Sequence, residues 1–220
     1  MKKDYWDNQH AKYKQEDWID KPSIFAEFVI KYYPKSGRIL ELGAGQGQDS
    51  RYFAQHGYYV VSTDINPVAL KESKDKLEKH KLDNIKLEKV SLGDKLPYKD
   101  AEFDVVYAHL SLHYFDDKTT KTIFDEIYRV LKEDGILAFF TNSTSDPEYK
   151  SGTMLENDLF EIEGKKKRFF TVESAKKYAA SFTPILVDNN GETYKDNAKG
   201  VHNLIRFIGK KEYPQLPLLR

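Results

Sequence analysis

The sequence predicts an α/β fold built on a mostly parallel sheet, and three observations carry that prediction. Short runs of branched apolar residues recur along the chain, separated by stretches whose apolar residues return at helical spacing. One early unit, RILELGAGQG at 38–47 followed by VVSTD at 60–64, joins two such runs through a glycine-rich turn and a helical stretch. Near the far end the rhythm gives way to two apolar runs around a polar Asn-Gly-containing link, which read as an antiparallel pair finishing the sheet. Strands that alternate with helices are joined by crossovers, and crossovers make neighbouring strands parallel.

The elements follow in order. After a polar, aromatic lead from Tyr5 to Trp18, Asp20 and Pro22 mark the start of a helix whose face is Ile24, Phe25, Phe28, Val29 and Tyr32, and Pro34 ends it. Arg38–Leu42 is a buried strand, 49–56 a helix closed by Gly57, and Tyr59–Asp64 the next strand. Pro67 opens a helix carrying Leu70 and Leu77 among alternating Lys, Glu and Asp, a solvent face rather than an RNA surface, before a strand at 85–90. A buried strand at 103–108, a helix at 119–132 with Ile123, Ile127, Val130 and Leu131 inward, and a strand at 136–141 after Asp134-Gly135 continue the pattern. Residues 142–170 break it and read as an insertion with a hairpin around Leu159–Ile162, Gly164 and KKKRFF. Thr171 caps a helix to about Phe182, and the runs at 185–188 and 201–208 form the closing pair.

Composition limits the function. With 35 basic and 35 acidic residues the net charge is zero, so the chain lacks the basic field of nucleic-acid binders. The absence of cysteine excludes disulfides, thiolate metal sites and cysteine nucleophiles together. No stretch approaches the roughly 18 apolar residues of a membrane span, and MKKDYWDNQH has no apolar segment after its lysines. The expectation is a cytoplasmic protein of one domain, 1–220, with 1–20 as a candidate lid and no membrane or nucleic-acid partner. Asp188, Asn189 and Asn190 beside Gly191 read as a turn, so no metal site is expected.

The loop after the first strand indicates the ligand. Gly43, Gly45 and Gly47 leave the turn without side-chain bulk, so a ligand can approach the backbone. Asp64 lies 21 residues after Gly43, where the second strand of a βαβ unit ends, and offers a carboxylate to ribose hydroxyls. The spacing is G-x-G-x-G with Gln48 where a dinucleotide site has its third glycine, and Glu41 would repel a pyrophosphate but hold a cationic amine. An amine-bearing nucleoside such as S-adenosylmethionine fits better than NAD.

ILELGAGQG followed by VVSTDIN resembles motif I and its companion acid in class I S-adenosylmethionine-dependent methyltransferases. LPYKDAEFDVVYAHLSLHYF, from Leu96 to Phe115, is similar to the same family's segment around its fourth strand. SDPEYKSG, RFFTVES and HNLIRFIGKK are similar to the bacterial small-molecule branch that includes tellurite-resistance methyltransferases. The resemblance implies a Rossmann-like, seven-stranded, mostly parallel sheet with helices on both faces and an antiparallel last strand. It also implies methyl transfer from S-adenosylmethionine to a small-molecule acceptor through oxygen, nitrogen or another nucleophile. Two departures stand out: Gln48 occupies the place of a frequent Arg, and Val90, Ser91 and Leu92 occupy a stretch where many members carry an acid near the adenine.

The expected cofactor-binding set is Glu41, Gly43, Ala44, Gly45, Gly47, Asp64, Ile65, Ser91, Leu92 and His109. His109 and His113 flank the end of the fourth-strand segment and are candidates for a general base, against the commoner role of packing. Trp18, within the lead of Tyr5, Trp6 and Tyr13, is a candidate lid residue, and Arg168 a candidate for an anionic substrate; Asp49 reads as structural. The rival readings are an NAD-type oxidoreductase and a non-catalytic nucleoside-binding scaffold subunit. The sequence leaves the oligomeric state open.

Overall fold

The computed structural model describes residues 4–13, 16, 18–194 and 202–212. Among the described residues seven strands form one sheet, in the order β3 (Ile85–Lys89), β2 (Tyr59–Asp64), β1 (Arg38–Leu42), β4 (Phe103–His109), β5 (Leu131–Thr141), β10 (Leu204–Lys210) and β9 (Thr183–Gly191). The first five pair in parallel, and β10 lies antiparallel to both β5 and β9. The helices are α1 (Asp4–Tyr13), α2 (Ile24–Val29), α3 (Gln48–Gln55), α4 (Pro67–His80), α5 (Asp117–Val130) and α6 (Val172–Tyr178). The strands β6 (Thr153–Glu156), β7 (Leu159–Ile162) and β8 (Lys165–Arg168) make a separate antiparallel sheet within 142–170.

Alternation along the strands splits the core between two faces. Leu40, Val106, Leu137, Phe139 and Phe207 meet Ile123, Ile127 and Ala175 of α5 and α6 on one side. Ile39, Val105, Tyr107, Ala138 and Phe140 meet Phe25, Val29 and Phe53 of α2 and α3 on the other. Burying one such Leu, Ile or Phe contributes about 1.5–3 kcal/mol, so the two-faced packing fixes the strand register. The carboxyl ends of β1, β2, β4 and β5 share one edge, and the order reverses between β1 and β4, where an open α/β sheet leaves a crevice.

Local chemistry sets the boundaries, sometimes against expectation. The helix expected from Asp20 begins at Ile24, because Ser23 Oγ accepts from Ala26 N and caps it. α5 stops at Val130, short of 132, because Leu131 already pairs with Phe103 and Asp134 turns the chain at φ 64°. Thr171 and Ser174 form a reciprocal capping box on α6, which ends at Tyr178. Asp188, Asn189 and Asn190 lie in β9 rather than in a turn, with Arg206 bidentate on Asp188 at 2.8 and 2.7 Å. Val201, the expected start of the last strand, lies outside the described residues. The insertion has three strands rather than two, since Thr153–Glu156 carries the exposed Met154 and Leu155 and shows no buried period. Among the described residues no helix is long and apolar enough to cross a membrane.

Candidate functional site

The loop between β1 and α3 forms the floor of a cavity of about 260 Å³ at the β1/β4 crevice. Gly43 and Gly45 take φ 71° and 57°, the left-handed region that favours glycine. A methyl group at Gly43 would lie 2.5 Å from Ser111 Cβ, and one at Gly45 would lie 3.3 Å from the His10 ring. Both positions therefore need bare backbone. Three of the loop's amides are spent internally: Ala44 N donates to Thr63 O at 2.7 Å, Gly47 N to Ala44 O at 3.0 Å and Gly45 N to Asp64 Oδ2 at 2.8 Å. Asp64 Oδ1 accepts from Asn66 N at 2.8 Å, so this carboxylate ties the end of β2 to the loop and retains lone pairs facing the cavity it lines.

Beneath the loop lie two buried carboxyls with different roles. Asp49, 1% exposed, accepts from Ser23 N, Ser23 Oγ and Tyr107 Oη at 2.7–2.8 Å and so fixes the start of α2 to α3 and β4. Glu41, 3% exposed, accepts from Ser50 Oγ and also lines the cavity. Burial, reinforced by the neighbouring Asp49 charge, raises the Glu41 carboxyl well above its ordinary value of 4.5.

The roof comes from α1. Trp6, His10 and Tyr13, spaced four and three apart, share one helix face and line the cavity. Asn66 Nδ2 donates to Asp7 Oδ1 at 2.7 Å and Gln46 Nε2 to His10 O at 2.9 Å, tying α1 to α4 and to the glycine loop. The far wall is Ser111, His113, Tyr114 and Phe115 after β4, Asn142 after β5, and Lys167 of β8.

Most of the residues expected from sequence converge here: Glu41, Gly43, Ala44, Gly45, Asp64, Ile65, Ser91, Leu92, His109 and His113 all line the cavity. His109 stacks flat on Phe140, with centroids 5.0 Å apart and planes within 2°, and His113 Nδ1 sits 3.3 Å from Thr141 Oγ1. Three of the expected residues lie outside the lining. Gly47 is not part of the lining; it opens α3 at φ 70°, where a side chain would run into Ser73 Oγ. Trp18 is buried edge-on against Tyr13, 5.2 Å away and outside the lining. Arg168, 4% exposed, is consumed by Glu156 at 2.6 Å and by the Phe115 and Asn157 carbonyls, a brace inside the insertion rather than an anion site. Its neighbour Lys167 lines the cavity instead, paired with Glu148 and, at 3.9 Å, with Asp146.

Trp6 and Tyr13, expected as part of an aromatic lid, line the cavity, whereas His10, Gln46, Ser111, Tyr114 and Asn142 join it without having been expected there. The 4-then-3 spacing of Trp6, His10 and Tyr13 was the available signal once histidine is counted with the ring-bearing face. Asn142 offered none beyond its place at the end of a strand.

Residues 40–139 match the methyltransferase domain family. The chain is similar to an uncharacterized methyltransferase of Synechocystis sp., 33% identical over 101 residues that span 46% of this chain and 45% of that one. It therefore spans less than half of that relative's length. Among solved structures it is similar to an S-adenosylmethionine-dependent methyltransferase of Methanosarcina mazei, TM-score 0.73 at 20% identity, covering 85% of this chain and 98% of that one. It is also similar to the 1,6-didemethyltoxoflavin-N1-methyltransferase of Burkholderia thailandensis, solved with bound 1,6-didemethyltoxoflavin and S-adenosylhomocysteine, TM-score 0.71 at 19% identity, covering 96% of this chain and 85% of that one.

Proposed function

We propose that the chain is a class I S-adenosylmethionine-dependent methyltransferase that transfers the cofactor's methyl group to a small molecule, a reading supported by the methyltransferase-domain match over residues 40–139 and by the shared fold. The observation that carries this reading is the loop with bare glycines and three committed amides, those of Ala44, Gly45 and Gly47. A pyrophosphate seeks free N–H groups and a positive field, whereas Gly45 N–H is held by Asp64 and Glu41 stands beneath the loop. A nucleoside bearing a cationic amine seeks the reverse, backbone clearance and carboxylates.

In this reading Asp64 accepts from the ribose hydroxyls, while Ile65, Ser91 and Leu92 border the base. Glu41 faces the ammonium, whose charge draws the raised carboxyl down into its ionised form. When bound, S-adenosylmethionine would supply an electrophilic methyl group with a neutral thioether as its leaving group. The chain's own task is to hold the acceptor in line at about 3–3.5 Å and exclude water, which lowers the barrier by several kcal/mol without a dedicated base. α1 supplies that exclusion, since Trp6, His10 and Tyr13 cover the cavity.

A small acceptor is supported by the roofed, modest cavity and by the zero net charge. The test is to supply methyl-labelled S-adenosylmethionine with a cell extract separated into small-molecule, protein and nucleic-acid fractions. Label in the small-molecule fraction, lost with Asp64→Ala, is expected. Label in a macromolecular fraction overturns the acceptor class, and no transfer to any fraction overturns the activity.

A further inference from the structure

One residue joins the roof of the cavity to its floor. Asn66, 6% exposed, follows the end of β2. Its backbone N donates to Asp64 Oδ1 at 2.8 Å, its Oδ1 accepts from Ala69 N at 2.9 Å to cap α4, and its Nδ2 donates to Asp7 Oδ1 of α1 at 2.7 Å. Capping needs only the side-chain oxygen, which Asp or Ser supplies equally well. The amide nitrogen is what reaches α1.

That helix depends on discrete contacts. Among the described residues none of Asp4–Tyr13 belongs to either apolar face of the core. The contacts that hold it include the Asn66 bond, Gln46 Nε2 on the His10 carbonyl at 2.9 Å, Trp6 edge-on to Tyr114 at 5.3 Å, and Lys165 over the Tyr5 ring at 3.5 Å. An element held in this way, outside the core, opens at lower cost than the domain unfolds.

The place of α1 makes such opening consequential. The His10 ring lies 3.3 Å from where a methyl group on Gly45 would sit, and Trp6, His10 and Tyr13 line the cavity above the glycine loop. A nucleoside with its ribose on Asp64 and its amine toward Glu41 lies under this helix, so its entry and exit require the helix to lift. Asn66 and Asp7 are themselves outside the lining. Their bond acts on the helix rather than on the ligand.

We propose that α1 is a gate on cofactor exchange and that Asn66, through Asp7, is the positioning residue that holds it shut. This rests on the cofactor reading above. Because the bond forms away from the ligand, it discriminates little between the free and the occupied site, so it slows entry and exit alike and leaves affinity almost unchanged.

The experiment is stopped-flow mixing with S-adenosylhomocysteine, followed by the fluorescence of the two tryptophans, Trp6 in the cavity lining and Trp18 beside Tyr13. Asp7→Ala removes the acceptor without touching the floor. Association and dissociation rates are both expected to rise about tenfold, the effect of one hydrogen bond to a charged group, with the dissociation constant within about threefold of wild type. Asn66→Asp keeps the cap but sets a carboxylate against Asp7, so it should speed exchange at least as much. The exchanged pair, Asp7→Asn with Asn66→Asp, restores one donor and one acceptor, and its rates should return to within about threefold of wild type. A role confined to capping α4 predicts neither the effect of Asp7→Ala nor this rescue. Wild-type rates in Asp7→Ala, a loss of affinity in proportion to faster dissociation, or no recovery in the exchanged pair overturns the proposal. Failure of S-adenosylhomocysteine to bind the wild type instead overturns the cofactor reading, and the gate with it.

Discussion

The floor and the roof of the cavity are built on different principles. The floor, from β1 through Asp64, is a continuous stretch of chain in which backbone groups satisfy one another and one carboxylate, Asp64, locks the loop through Gly45 N and Asn66 N. The roof and far wall gather side chains from α1, from the segments after β4 and β5, and from β8. They are held by scattered contacts such as Asp7 to Asn66 and Lys165 over the Tyr5 ring at 3.5 Å. A contiguous, backbone-defined floor suits a ligand that never changes, and a side-chain roof suits one that is chosen. The comparison separates donor binding from acceptor choice, and substitutions on each side should separate them too.

Asp64→Ala should break the floor most completely. It removes the proposed ribose acceptor and two backbone bonds to a carboxylate, each worth about 1.5–3 kcal/mol, so S-adenosylhomocysteine affinity by calorimetry should fall at least tenfold, toward roughly a hundredfold. Gly43→Ala should act through the fold: a left-handed φ costs about 1–2 kcal/mol and the new methyl meets Ser111 Cβ, so thermal unfolding should shift down by several degrees. Adding Ser111→Gly should recover the steric part and leave the φ part. On the roof, Trp6→Ala should raise the acceptor's KM about tenfold while changing S-adenosylhomocysteine affinity much less; equal losses in both would erase the distinction between floor and roof.

Glu41 gives the comparison a pH signature. Its carboxyl is raised in the folded state by burial and by Asp49, so its contribution to stability is fully present at low pH. That contribution is lost as pH rises from the ordinary value of 4.5 toward the raised folded value. Glu41→Gln should flatten this limb of the unfolding profile and raise the melting temperature of the unliganded protein above it. Because an ammonium lowers the same pKa, cofactor binding within that pH window should release a proton, seen as a buffer-dependent binding enthalpy that Glu41→Gln abolishes. The smallest effect should be His113→Asn, which the packing against Thr141 and Tyr114 predicts to leave kcat within a few-fold. A loss of a thousandfold would make His113 the base after all.

How far the sequence disclosed this arrangement follows the same division. The strand, loop and acid of the floor were legible because their chemistry is local: glycines where the backbone must be bare, and an acid at the end of the next strand. Glu41, Ile65, Ser91 and Leu92 followed from adjacency to those elements, and all four line the cavity. Arg168 misled because a cation beside two phenylalanines gives no sign of Glu156, twelve residues earlier, waiting across the small sheet. Gly47 misled because αL geometry serves helix entry as well as ligand clearance. Asn142 was silent because an unmatched buried donor is a property of packing, and no local pattern records it.

The most direct test of the central claim is a calorimetric titration of the wild-type protein and Asp64→Ala with S-adenosylmethionine, S-adenosylhomocysteine and NAD. Micromolar binding of the first two to the wild type, lost in the variant and absent for NAD, is the predicted result. Binding of NAD alone, or equal affinity of wild type and variant for S-adenosylhomocysteine, would contradict it.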